Sequence, residues 1–190
     1  MTAGFGVDRW VALTDSASCD DRLRAVVDPV VVSITVGRPR EEVFDYLVDV
    51  ANHPEFTDHY LEDWHLTREN SVGVGAGASF HVKAPLQRFS WMVARLVEVE
   101  RPWRIVEAGR SGKYNRIRVV TVYTLEPAPE DTTRVELSVE TVPATPTDRV
   151  MELFGARSWT RRQNRRALRR LRSILEDGTR RGARATVAAR

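Results

Sequence analysis

VVVSITVGRPREEVFDYLVDVANHPEF, residues 30–56, decides how the rest of the chain is read. Its first seven residues are a β-branched run of strand length. Gly37 and Arg38 close the run. Pro39 then stands where a first helical turn tolerates a residue without an N–H, and Glu41 and Glu42 follow where the helix dipole favours acids. Val43, Phe44, Leu47 and Val48 form an apolar stripe on one side of a helix that ends near Asp49. Asn52, His53 and Pro54 make a turn, with a second short helix to Phe56. One strand followed by two short helices is therefore the expected opening.

Toward the C-terminus, residues 59–143 read as strands, at 60–67, 78–84, 88–100, 103–108, 116–125 and 134–142. The last alternates Val135, Leu137 and Val139 with Arg134, Glu136, Ser138 and Glu140, one face dry and one wet, as in an antiparallel meander. Gly73, Gly75 and Gly77 give G-x-G-x-G, but a dinucleotide fingerprint needs G-x-G-x-x-G between a strand and a helix. A strand follows here, so the glycines are read as a flexible hairpin and a mobile lip. From Thr147 to Asp177 the period becomes helical, with Val150, Leu153, Leu168, Leu171 and Leu175 on one face and Gly178 as the stop. Residues 1–28 show no sustained period and are read as a partly disordered extension. Residues 29–178 form the domain, and 179–190 a frayed basic tail.

Composition narrows the classes. The chain has 190 residues, 42% hydrophobic and 29% charged, which suits one globular domain. No apolar run reaches the ~18 residues of a bilayer span, and the N-terminus carries no secretory pattern. A single cysteine, Cys19, excludes an intramolecular disulfide framework and a thiolate zinc cluster. A cytoplasmic protein without a membrane span is expected. The net charge is only +3, yet residues 149–190 hold 13 arginines against Glu152, Glu176 and Asp177. This basic segment is read as a solvated helix face before it is read as a nucleic-acid contact, because its arginines surround the helix outside the apolar seam.

Three stretches carry a family resemblance: the opening quoted above, RLVEVERPWRIVEAG at 95–109, and RALRRLRSILED at 166–177. Together they resemble the START-like or Bet v 1-like (SRPBCC) superfamily, over about residues 29–178. The resemblance implies an α+β helix-grip fold: a curved seven-stranded antiparallel sheet wrapped around a long C-terminal helix, with two short helices after the first strand. It implies an internal cavity between sheet and helix for a hydrophobic small molecule; no cofactor is expected. It settles no chemistry, since this superfamily hosts cyclases, hydrolases and lipid carriers.

The residues supply candidates for that cavity. On 88–100 the odd positions include Trp91 and Arg95, the even ones Met92, Ala94 and Leu96. With the odd face inward, Arg95 meets the helix and needs an oxygen partner; with the even face inward, it is a surface residue. Bacterial aromatic polyketide aromatase/cyclases of the superfamily use a tyrosine and a strand arginine at positions similar to Tyr60 and Arg95, but have a serine where this chain has Val93. Trp64, Phe80, Trp91 and Tyr123 are candidates for the apolar wall. Arg157 and Asn164, with Thr160, interrupt the apolar face of the long helix and are candidates for polar contacts. Trp159, on the opposite face, is a candidate homodimer or partner contact.

Two functions compete. One is a carrier or sensor for a polyketide, lipid or quinone-like molecule. The other is a polyketide aromatase/cyclase, in which Arg95 stabilises an oxyanion and Tyr60 passes a proton. An interaction module using the Arg-rich helix ranks third. His59 and His65 share a strand face with Asp63 but lack the remaining ligands of a zinc site, so no metal is expected.

Overall fold

The computed structural model describes residues 28–84, 90–142, 155–179 and 182–187. All but the last residue of the expected extension over 1–28, the start of the strand at 88–89 and the start of the long helix at 147–154 lie outside the described residues.

The strands are β1 (Val30–Val36), β2 (Leu61–Leu66), β3 (Gly77–Val82), β4 (Trp91–Glu100), β5 (Arg104–Ser111), β6 (Ile117–Ala128), β7 (Thr132–Val142) and β8 (Thr186–Val187). The helices are α1 (Arg40–Leu47), α2 (His53–Thr57) and α3 (Arg157–Asp177). One sheet runs in the order β1-β7-β6-β5-β4-β3-β2-β8, antiparallel throughout except for the parallel pairing of β8 with β2. The α+β helix-grip architecture is as expected, with eight strands instead of seven.

The eighth strand corrects the reading of a frayed tail. Gly182 N–H donates to the Glu55 carbonyl at 3.2 Å, and Ala185 N–H donates to the Ala51 carbonyl at 2.9 Å. Arg184 reaches the Asp49 carboxylate at 2.5 Å, and Ala185 is buried. Glycine at 182 is what permits the approach: a Cβ there would stand 3.1 Å from both the Glu55 Cα and the Pro54 carbonyl oxygen.

Helix α3 buries Ala167, Leu168, Leu171, Ile174 and Leu175 against the concave side of the sheet. β1 answers with Val30, Val32 and Val36. Gly178 ends the helix at a left-handed φ of 65°, its N–H donating to the Ile174 carbonyl at 3.0 Å. The end of β1 holds that terminus: Gly37 N–H donates to Glu176 Oε1 at 2.6 Å, and Arg38 Nε to the Leu175 carbonyl at 2.8 Å. In α1, Pro39 precedes the first turn, and Val43, Phe44 and Leu47 face the core. Asp49 caps the following turn by accepting from Ala51 N–H at 3.1 Å.

β4 carries the main correction. Met92, Ala94 and Leu96 point inward, while Trp91, Val93 and Arg95 are exposed. The register with β5 shifts between Leu96 and Glu98, after which Val99 joins the core. A bulge flips the side-chain phase, so no single alternation describes this strand.

The glycine-rich turn is also packed more tightly than a free lip. Gly75 N–H donates to the Leu96 carbonyl at 2.7 Å, and Leu96 N–H donates to the Ala76 carbonyl at 2.8 Å. A Cβ on Gly77 would lie 2.5 Å from the Ala94 carbonyl oxygen. No described helix is long and apolar enough to cross a membrane.

Candidate functional site

Helix α2 is buried along its whole length, which places its polar groups at the sheet–helix interior. Its first residue, His53, has Nε2 at 2.8 Å from the Leu47 carbonyl, so that nitrogen donates. Glu55 accepts from the Tyr46 hydroxyl at 2.9 Å, which satisfies one buried carboxylate. The His53 ring lies 6.2 Å from Trp64 and 6.0 Å from Tyr123.

The chain leaves α2 through a turn that carries Tyr60 up to α3. The Tyr60 hydroxyl donates to Asn164 Oδ1 at 3.1 Å. Trp64 on β2 stacks on Phe80 of β3, centroids 4.2 Å apart. Phe80 and Tyr123 belong to the buried core, and Asn164 is 2% exposed. Burial pushes the phenols of Tyr60 and Tyr123 well above the usual range, with the Glu107 carboxyl adding to the effect, so both stay neutral hydrogen-bonding groups.

Two of these residues hold unspent donors. Trp64 Nε1 and Asn164 Nδ2 are buried and find no hydrogen-bond partner among the described residues. An unmade hydrogen bond of a buried donor costs about 1–3 kcal/mol, so such atoms are uncommon unless something else supplies an acceptor.

Five of the eight sequence-predicted residues thus come together: Tyr60, Trp64, Phe80, Tyr123 and Asn164. Arg95 and Trp91 do not. Both sit on the outer face of β4, and Trp91, 51% exposed, packs edge-on against His81, centroids 5.5 Å apart. The reason is the phase of β4 described above. Arg157 lies at the start of α3, where it lines a small pocket of about 40 Å³ with Val30, Val139, Thr141 and Thr160. That space suits a water molecule, not a drug-sized ligand. It is also two helical turns, about 10 Å, from Asn164.

Trp159 lies nearer the site than its expected place on an exposed opposite face. Its ring meets Tyr60 in a T-shaped arrangement at 6.0 Å and is partly buried. Of the arginines on α3, Arg170 is tied to the Asp58 carboxylate and to the Glu55 carbonyl at 3.3 Å, while Arg161, Arg162, Arg165, Arg166 and Arg169 are exposed. His59 Nε2 is 3.3 Å from the Gln163 carbonyl, and burial holds its imidazole below the usual range.

Sequence reasoning missed Glu107. It is register-paired with Leu96 of β4 and Thr121 of β6, on the inward side. It is buried, and no described group gives it a hydrogen bond or a salt bridge. Burial raises its carboxyl above the usual range, with His53 acting the other way. The available signal was the pairing with Leu96, whose inward direction follows only once the bulge is known.

A family model described as polyketide cyclase / dehydrase and lipid transport matches residues 29–176. No curated protein matches the chain. Among solved structures, the solution structure of KanY superposes with a TM-score of 0.63 at 18% identity, covering 80% of this chain and 99% of that one. TTHA0849 from Thermus thermophilus gives 0.62 at 13% identity, covering 80% and 99%. Truncated norcoclaurine synthase from Thalictrum flavum gives 0.58 at 13% identity, covering 80% and 97%. At such identities these likenesses speak for the fold alone.

Proposed function

We propose that this chain, which belongs to the polyketide cyclase / dehydrase and lipid transport family, holds a hydrophobic, carbonyl-bearing small molecule between the sheet and α3, as a carrier or sensor. The observation that carries this reading is the pair of buried, unspent donors, Trp64 Nε1 and Asn164 Nδ2, among the rings of Tyr60, Phe80 and Tyr123. Apolar walls with a few convergent polar atoms are what ligand sites in such folds present. A ligand oxygen accepting from either donor would recover the cost of leaving it unpaired.

The test is a titration with 2-methyl-1,4-naphthoquinone, a neutral apolar diketone, followed by tryptophan fluorescence, alongside native mass spectrometry of the purified protein. Saturable quenching is expected, weakened about tenfold in Asn164→Leu, the equivalent of one hydrogen bond. Absence of saturable binding, with no co-purified ligand, would remove the reading.

Aldol cyclisation with dehydration is the second reading, and Glu107 is what favours it. With Arg95 on the outer face, an oxyanion or leaving hydroxyl must be served from within. Glu107 is an acid on the inner wall without a bonded partner among the described residues. This reading predicts a product distribution from a poly-β-ketone that differs from the spontaneous one.

A further inference from the structure

We propose that Glu107 is the specificity-determining donor of this site, giving a carboxyl proton to a ligand oxygen, so that the site takes uncharged, acceptor-rich molecules and turns away anions. The inference rests on the ligand-binding reading above and narrows its substrate class.

The geometry comes from strand register. Leu96, Glu107 and Thr121 stand side by side on β4, β5 and β6, one step along from the pair Ile105 and Tyr123, both of which are core residues. A carboxyl at that position enters the interior among apolar and aromatic groups. The titratable groups that act on it are His53 from α2, Tyr60 from the turn before β2 and Tyr123 from β6. β4 presents Leu96 there, and α3 presents Asn164 beside Tyr60. None of these is a cation bonded to the carboxyl among the described residues. Arg95, on the adjacent strand, faces outward.

A carboxylate so placed is disfavoured by burial, whereas the neutral acid is not. In its neutral form Glu107 joins Trp64 Nε1 and Asn164 Nδ2 as a third donor. Around Glu107 the described wall offers these donors, with His53 as the group that favours a negative charge there. Arg157, the inward cation of α3, sits at the edge pocket. A quinone, polyketone or similar neutral polyoxygenated molecule supplies acceptors for such donors without adding a charge. A fatty-acid or aryl carboxylate would bring a charge that must be buried with no described side chain bonded to it in return.

The experiment compares wild type, Glu107→Gln and Glu107→Leu in binding 2-methyl-1,4-naphthoquinone and 2-naphthoate from about pH 5 to about pH 9. For wild type, quinone affinity should fall at least about tenfold as the carboxyl ionises, and naphthoate should bind at least about tenfold more weakly than the quinone. Glu107→Gln, with a permanent N–H donor, should abolish the pH dependence, and Glu107→Leu should lose about tenfold in quinone affinity at low pH. A preference for naphthoate, or Glu107→Leu binding as tightly as wild type, overturns the proposal, as does an affinity that stays flat across a pH range in which the infrared band of the neutral carboxyl is lost. An infrared difference spectrum, wild type minus Glu107→Gln, reads the protonation state without ligand: a neutral carboxyl band at neutral pH is expected, and a carboxylate band overturns the donor role by itself. If the neutral band is present and wild type binds neither probe, it is the ligand reading that falls, taking the donor role with it.

Discussion

Leu96 and Glu107 stand opposite each other on the inner faces of β4 and β5, at the last paired position before β4 bulges. An acid therefore shares a wall with a core leucine, and its ionisation is coupled to folding. Burial raises the Glu107 carboxyl in the folded state. Between the ordinary carboxylate range and that raised value, the folded protein holds a proton that the unfolded chain has released. Stability is then full below the ordinary range and declines as pH rises, by up to about 1.4 kcal/mol per pH unit. Glu107→Gln should remove this decline. Urea unfolding of the two proteins at acidic and alkaline pH should show the variant more stable on the alkaline side, with the difference closing toward the acid side; parallel curves would contradict it.

The same pair explains which part of the site was legible. The opening strand and first helix, and the described part of the α3 seam (Leu168, Leu171 and Leu175), each rest on one clean periodicity, and both appear as read. β4 does not: Trp91, Val93 and Val97 make its odd face as apolar as the even face of Met92, Ala94 and Leu96. Alternation cannot choose between such faces, and the bulge after Leu96 changes the phase within the strand. Arg95 was placed by that ambiguous phase, and Glu107 was overlooked for the same reason, since Val106 beside it is buried too. Thr186–Val187 is too short to carry any pattern. Its docking depends on backbone groups of Ala51 and Glu55 that no side-chain periodicity reports.

Arg95 and Trp91 should be dispensable for the interior. Both are exposed on the outer face of β4. Arg95→Ala and Trp91→Ala should each change stability by no more than about 0.5 kcal/mol, as surface substitutions do. Neither should alter quinone binding. A tenfold loss of binding in Arg95→Ala would restore the sequence-based placement and undo the inward assignment of Glu107.

Tyr60 and Asn164 form a pair that can be isolated thermodynamically. The hydroxyl-to-amide bond of 3.1 Å joins the turn before β2 to α3. Tyr60→Phe should cost about 1 kcal/mol. Asn164→Ala should cost about 2 kcal/mol, because a buried side chain is lost as well as the bond. The double variant should cost less than the sum by about 0.5–1.5 kcal/mol. Additive denaturation energies would mean that the two side chains do not interact in solution.

The docked tail offers a test by sterics. Gly182 lies against the backbone of α2, and Ala185 is buried where its N–H meets Ala51. Gly182→Val places a branched side chain where even a Cβ finds the Glu55 Cα and the Pro54 carbonyl oxygen at 3.1 Å. Backbone atoms cannot give way as the end of a flexible side chain can, so the tail must lift. Lifting also frees β8 from His65 and Leu66 of β2. In amide hydrogen exchange, Gly182→Val should therefore deprotect Ala185, together with the β2 amides that pair with β8, while the central strands β5 and β6 keep their protection. Arg184→Ala, which breaks only a partly exposed ion pair with Asp49, should cost under about 1 kcal/mol and leave the Ala185 amide protected. If the two variants exchange alike, the charge and not the close backbone approach is what fastens the tail.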